Sequence, residues 1–217
     1  MTNGSATTIS ALASPVRLQD FIASADDGVF SHLRTLSPWE ITSTADAVIR
    51  KAVGAVAGYV VTDGVAVHRR ADVETGAMIK APAIIGPDCF VASGAYLRGG
   101  VFLEAECIIG PNCEVKSTFM LAGSKIAHLS FVGDSIVGAG ANVEAGAIIA
   151  NYRNERDDKR IRILFGGAII DTGVEKFGAL IGDGARVGAN AVIAPGALIA
   201  PGAVIPRLSL VDQSPQD

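Results

Sequence analysis

The sequence predicts an all-β solenoid built from three-sided coils. Counting from Val61, an aliphatic residue stands at every sixth position: Val67, Val73, Ile79, Ile85, Val91, Leu97, Leu103, Ile109, Val115 and Leu121. A second train runs through Ile181, Val187, Ile193, Ile199 and Ile205. A small residue recurs four places after most of them, including Ala71, Ala77, Cys89, Ala95, Cys107 and Cys113. The segment IIGPDC (84–89) returns 24 residues later as IIGPNC (108–113). Short fixed periods belong to repeat architectures, in which each unit is buried only by its neighbours.

Six residues suit a short strand plus a corner. Side chains alternate along a strand, so the aliphatic residue and the one two before it point inward. Pro87, Pro111, Pro195 and Pro201 each fall two places after an aliphatic position, where a corner is needed. Three sides close a coil of about 18 residues. On this reading residues 58–207 are the solenoid, interrupted by a charged loop at 153–176, with a tail at 208–217. Eight of the ten residues 153–162 are charged. The loop is either a solvated excursion or an arm that reaches a neighbouring subunit's site.

Before the coil lie a flexible segment (1–13), an apolar group (Leu18, Phe21, Ile22) and a helix. Ser37-Pro38-Trp39-Glu40 reads as a capping box with proline at the first helical position. Ile41, Ala45, Val48, Ile49 and Val53 then form one apolar face. Residues 1–57 are thus expected to supply a helical cap over the open end of the coil.

Composition narrows the class. Mean hydropathy is +0.40, and residues 187–206 carry no charge, which is length enough to span a bilayer. Glycine and proline interrupt that stretch in phase with the sixes, so it reads as coil rather than as a membrane span. No basic segment followed by an apolar core opens the chain, which predicts a cytoplasmic protein. The three cysteines all occupy the small inward slot and are expected to be buried, reduced thiols. Asn3-Gly4-Ser5 matches a glycosylation sequon by chance on that view. A net charge of −4, with no basic cluster among aromatics, argues against a nucleic-acid partner. Only His32, His68 and His128 exist, without metal-ligand spacing, so no metal is expected.

One stretch breaks the rhythm. In GSKIAHLSFVGDS (123–135) the beat shortens to five, and the count sets the first short step between Ala127 and Val132 and the next between Val132 and Val137. If the sixes continued, Lys125 would point into the core, and an unpaired buried ammonium is very costly. A local rule broken inside a consistent scaffold marks function or strain. Arg98 and Lys116 stand 18 residues apart, so they stack on one side about 5 Å from each other. Two stacked cations suit an anion such as a phosphate. His128 lies two sides further round, so only a neighbouring prism would bring these groups together. That predicts a homotrimer with sites between subunits.

The run EVKSTFMLAGSKIAHLSFVGDSIVGAGANVEAGAIIANY (114–152), continued by KFGALIGDGARVG (176–188), resembles the acetyltransferase domain of a bifunctional family. That family is the glucosamine-1-phosphate acetyltransferase/N-acetylglucosamine-1-phosphate uridylyltransferases, with their archaeal-type sugar-1-phosphate nucleotidylyltransferase relatives. The resemblance implies a left-handed parallel β-helix of hexapeptide repeats. It implies transfer of acetyl from acetyl-CoA to the amine of an amino-sugar phosphate or a nucleotide-linked amino sugar. His128 matches the general base of the family, a role a near-neutral pKa suits. Arg98 and Lys116 match its phosphate-holding residues. Asn142, Asn151, Tyr152 and Lys176 match substrate-binding positions, and Ala145 matches a residue lining the acetyl-CoA site. Glu114 matches a carboxylate that orients the base, whereas the coil count offers Glu144. Phe131 stands where the family has tyrosine. No Gly-rich nucleotide-binding segment occurs in residues 1–57, so neither UTP binding nor nucleotide-sugar synthesis is expected. Acetylation of a sugar hydroxyl, or a non-catalytic assembly or regulatory module, are the alternative functions.

Overall fold

A computed structural model describes residues 16–25, 28, 31–33 and 35–215. The expected flexible segment 1–13 and the Asn3 sequon fall outside them. The chain is a left-handed parallel β-helix, a β-solenoid of about eight turns. Its second face is a parallel sheet of seven two-residue strands, from Asp72–Val73 through Phe90–Val91, Ile108–Ile109, Lys125–Ile126, Asn142–Val143 and Arg186–Val187 to Val204–Ile205. The third face runs from Met78–Ile79 to Leu210–Val211, and the first from Val65–His68 to Ala197–Ile199. Tyr96–Leu103 and Glu114–Met120 each turn the corner from third face to first without a break.

The interior is filled as the period demands. Ile85, Val91, Leu97, Leu103, Ile109, Val115, Val132, Val143 and Ile149 are buried in one continuous core. The small slot holds the free cysteines Cys89, Cys107 and Cys113, and then Thr118, Ser124, Ser130 and Ser135, all buried. These hydroxyls are satisfied by nearby carbonyls or a thiol: Thr118 Oγ donates to Lys116 O (2.7 Å), and Ser135 Oγ to Gly133 O (2.7 Å).

Two features differ from the count. Val61 is not a coil position: Tyr59–Thr62 pairs antiparallel with Val65–His68, so Val61 lies half exposed on a hairpin arm. The first short step also lies upstream of the place the count gave it. Leu103 pairs with Met120, Ile109 with Ile126 and Val115 with Val132, which makes the five-residue sides Val115–Met120 and Val132–Val137. Losing a residue before Met120 shifts the register by one, so Ser124 takes the inward slot and Lys125 turns outward. His128 sits in an ordinary six.

Two helices, α1 (Pro38–Ser43) and α2 (Ala45–Val53), form the predicted helical region, divided at Thr44. The backbone N–H of Ser37 donates to Glu40 Oε2 at 2.7 Å, as the capping box requires. They do not close the open end of the coil. They lie along the first face, where Ile41, Ala45, Ile49 and Val53 pack with the outward residues Ile84 and Phe119. The chain before them runs on toward the C-terminal coils: Ala23 N donates to Asp183 Oδ2 (2.8 Å), and Phe21 O accepts from Asp183 N (3.0 Å). The physical reason lies in the first face itself, whose outward positions Ile84, Phe102, Phe119, Ile136, Leu180 and Leu198 are apolar and need cover.

The charged excursion joins that cover. It holds an antiparallel hairpin (Arg162–Phe165 with Ala168–Asp171), and Ile161 and Ile163 are buried in the same apolar layer. Phe165 meets Phe21 with ring centroids 6.3 Å apart. The tail then folds back. Gln213 O accepts from Leu164 N (2.7 Å), and its side-chain amide pairs with the backbone of Leu198, accepting from N (2.7 Å) and donating to O (3.2 Å).

Gly100 makes the approach of α2 possible. Its φ is +91°, and a Cβ there would lie 2.7 Å from Asp46 N and 2.8 Å from Ala45 C. Gly100→Ala should therefore destabilise the protein by about 2 kcal/mol or more in urea unfolding, the left-handed backbone adding to the clash.

Candidate functional site

The corner between third and first faces is the one place where the coil is irregular in successive turns. The register slips between Arg98 and Val101, the next two turns each lose a residue, and the excursion leaves from the turn above. Ser117 and Asp134, in the two shortened sides, hold φ of +47° and +45°. Left-handed backbone at non-glycine residues costs on the order of 1–3 kcal/mol each and persists where surrounding structure enforces it.

A cleft of about 470 Å³ opens at this corner, lined by Arg98, Lys116, Phe131, Asn151, Tyr152, Glu175 and Lys176. Five of the expected substrate-binding residues thus meet in one place. Arg98 and Lys116 are register partners on adjacent strands, as their spacing predicts. Each already has a carboxylate. Arg98 Nε and Nη2 contact Glu114 Oε1 at 2.7 and 2.6 Å, with both side chains about a third exposed. Lys116 Nζ reaches both oxygens of Asp134 at 2.9 and 2.6 Å, and Asp134 is only 7% exposed.

Asp134 is the residue the sequence reading passed over. Besides Lys116 it accepts a hydrogen bond from Asn151 Nδ2, its N–H donates to Lys116 O (2.7 Å), and its carbonyl accepts from Gly178 N (2.9 Å). It therefore ties the two shortened turns to both feet of the excursion. The signal was available: Asp134 stands 18 residues after Lys116, the same interval that stacked Lys116 on Arg98.

The remaining expected residues lie elsewhere on the prism. His128 is exposed at the corner between second and third faces, and its carbonyl accepts from Gly146 N of the turn above (2.8 Å). Ala145, beside Gly146, belongs to the same corner. Asn142 pairs with Lys125 on the second face. Neither carboxylate considered as an orienter touches the imidazole: Glu114 is held by Arg98, and Glu144 is held by Arg207 (2.9 and 3.1 Å) and by Ala189 N (2.9 Å). Apart from Asn142 on the second face, the residues picked out by motif thus form two half-sites on opposite edges of the third face. One carries charge and amide groups, the other the histidine.

No protein-family model matches the chain. Over 118 residues, 54% of this chain, it is 36% identical to a bifunctional sugar-1-phosphate nucleotidylyltransferase/acetyltransferase of Sulfurisphaera tokodaii, covering 29% of that protein. Over 66 residues, 30% of this chain, it is 44% identical to the bifunctional protein GlmU of Methanococcus maripaludis, covering 15% of it. The matched region spans less than a third of the length of these relatives. Among solved structures, a hexapeptide transferase family protein from Anaplasma phagocytophilum superposes with a TM-score of 0.43 at 17% identity, over 65% of this chain and 74% of that one.

The two ion pairs differ in burial, and that sets their worth. Removing one partner of a buried pair typically costs about 3–5 kcal/mol, whereas exposed pairs contribute about 0–1. Asp134→Ala should therefore lower stability by about 3 kcal/mol, and Glu114→Ala by less than about 1, as read by denaturant unfolding of the two variants side by side.

Proposed function

We propose that this chain is an acyltransferase that moves acetyl from acetyl-CoA to the amine of an amino-sugar phosphate or nucleotide-linked amino sugar. The observation that carries the reading is the split of the motif residues into two half-sites flanking one apolar face. Outward on the third face stand Met78, Tyr96, Glu114, Phe131, Ile148, Val192 and Leu210, apolar save for Glu114, which Arg98 holds, and with Met78 and Leu210 more than half exposed. A largely apolar strip whose one carboxylate is already paired marks an association surface. The first face is already covered by the N-terminal segment and the excursion, so the second and third faces are left for packing. Threefold association of prisms would set the His128 corner of one protomer against the charged cleft of the next.

In that arrangement the cleft holds the acceptor. Lys116 has three ammonium protons and Asp134 takes two, while Arg98 keeps Nη1 uncommitted among the described residues. One donor from each, with the nearby Lys176, suits a phosphate without displacing either carboxylate. His128 accepts the proton of the amine as nitrogen attacks the thioester carbonyl. The new C–N bond forms, the C–S bond breaks, and the CoA thiolate leaves with a proton. Resemblance of 114–152 to acetyltransferase domains of the bifunctional relatives supports this assignment of roles.

Two tests follow. His128→Ala should lower kcat in a thiol-release assay with acetyl-CoA and glucosamine 1-phosphate by about 10²–10⁴. Its melting temperature should change little, because an exposed side chain carries little packing; retained turnover would remove His128 from the mechanism. Light scattering should give a trimer at micromolar concentration, and a monodisperse species near the 22.2 kDa chain mass would defeat the shared-site reading.

A further inference from the structure

Arg153 follows Asn151 and Tyr152 directly and, among the described residues, is the most deeply buried arginine in an ion pair, with 4% of its side chain exposed. Its guanidinium meets Asp212 in a two-pronged contact, Nη1 to Oδ2 at 2.8 Å and Nη2 to Oδ1 at 2.7 Å. Nη2 also donates to Pro195 O at 2.9 Å. Asp212 lies beyond the last strand of the coil, 59 residues away in the chain. None of these residues lines the cleft, yet they fix the backbone from which Tyr152 enters it.

The tail around Asp212 is stitched to both the solenoid and the excursion. Gln213 holds Leu198 through its side chain and Leu164 through its carbonyl. Ser214 Oγ accepts from Arg156 Nη2 at 2.8 Å, and Ser214 N donates to Asp212 Oδ1 at 2.9 Å. On the other side of the excursion, Lys159 Nζ stands 5.5 Å from the centre of the Tyr152 ring. Phe177 N donates to Asn151 O at 3.2 Å and so closes the excursion at its base, next to Lys176. Cut the tail away and the excursion keeps its hairpin but loses the contacts that fix where Arg153, and with it Tyr152, sits.

We infer that residues 212–214 are a clasp that positions the acceptor cleft, with Arg153 and Asp212 as positioning residues for Asn151 and Tyr152. The inference rests on the proposed function only for its kinetic arm. The guanidinium holds the Asp212 carboxyl below the ordinary carboxylate range, chiefly by the hydrogen bonds from Arg153. The stabilisation from a depressed carboxyl is full above its unfolded value and is lost as pH falls below that toward the folded one, so the clasp holds at neutral pH and loosens in acid.

The decisive variant is Asp212→Asn, which keeps shape and removes the charge. With acetyl-CoA and glucosamine 1-phosphate, the acceptor KM should rise at least tenfold while the acetyl-CoA KM stays within twofold. Trypsin should cut at Arg156, Lys159 or Arg160 at least tenfold faster than in the unaltered chain. Asp212→Glu should restore both. Gln213→Ala, which loosens the tail and leaves the ion pair intact, should shift both readouts the same way by about threefold. A folded Asp212→Asn protein with native proteolytic resistance overturns the clasp. Equal rises in both KM values overturn its role in positioning the acceptor. Should the unaltered chain acetylate no amino sugar, the proposed function fails, and the trypsin comparison alone then decides the clasp.

Discussion

Everything in this molecule depends on parallel stacking in register. Each strand hydrogen-bonds to the one a turn below, so a residue dropped from one side must be matched in the turns beside it or absorbed as a slip of register. The protein confines that cost to one edge. Along the corner between third and first faces the sides run six with a slipped register, then five, then five, and then the chain leaves altogether for the excursion. The other two corners keep their sixes through the same turns. Irregularity and cleft therefore coincide because the shortened sides and the departing excursion open a recess along that edge.

The electrostatics of the recess follow from that break. Bringing Arg98 and Lys116 one strand apart would be repulsive in isolation. Each instead finds an acid supplied by its own geometry: Glu114 on the neighbouring strand, and Asp134 in the left-handed turn of the next short side. The cleft rests near neutrality yet keeps spare donors. Such a surface favours an anion with several acceptor oxygens over a simple counter-ion, since only the former uses the remaining N–H groups together.

Much of this could be read in the residues. The spacing of Val67 to Val115 fixed the sides, the cysteine slot fixed what points inward, and the 18-residue interval stacked Arg98 on Lys116. The capping box at Ser37 and its apolar face were equally visible. Placement of the helices was not, because the outward residues Ile84, Phe119 and Leu180 were read only as parts of a repeat, never as a second apolar surface. The site of the dropped beat was also missed. Leu121 and Met120 are both apolar, so sequence alone could not tell which pointed inward, and an error of one residue moved the break from Lys116 to His128. The halves of the candidate site were legible by motif, and Asp134 could be reached by carrying the 18-residue interval one turn further, whereas the clasp at Asp212 depends on contacts across turns that no local pattern encodes.

A stack of parallel strands has no intrinsic length, and its two ends present unpaired backbone to any similar chain. On the first face both are finished with chemistry that cannot be continued. At one end the last partner is antiparallel, Tyr59–Thr62 against Val65–His68, so a second coil would meet a ladder of the wrong polarity. At the other, the amide of Gln213 satisfies Leu198 N and O as the peptide of a further turn would. One side chain thus stands in for the next strand of that face and gives it nothing to extend there, which limits end-to-end growth along the first face by copies of the same protein.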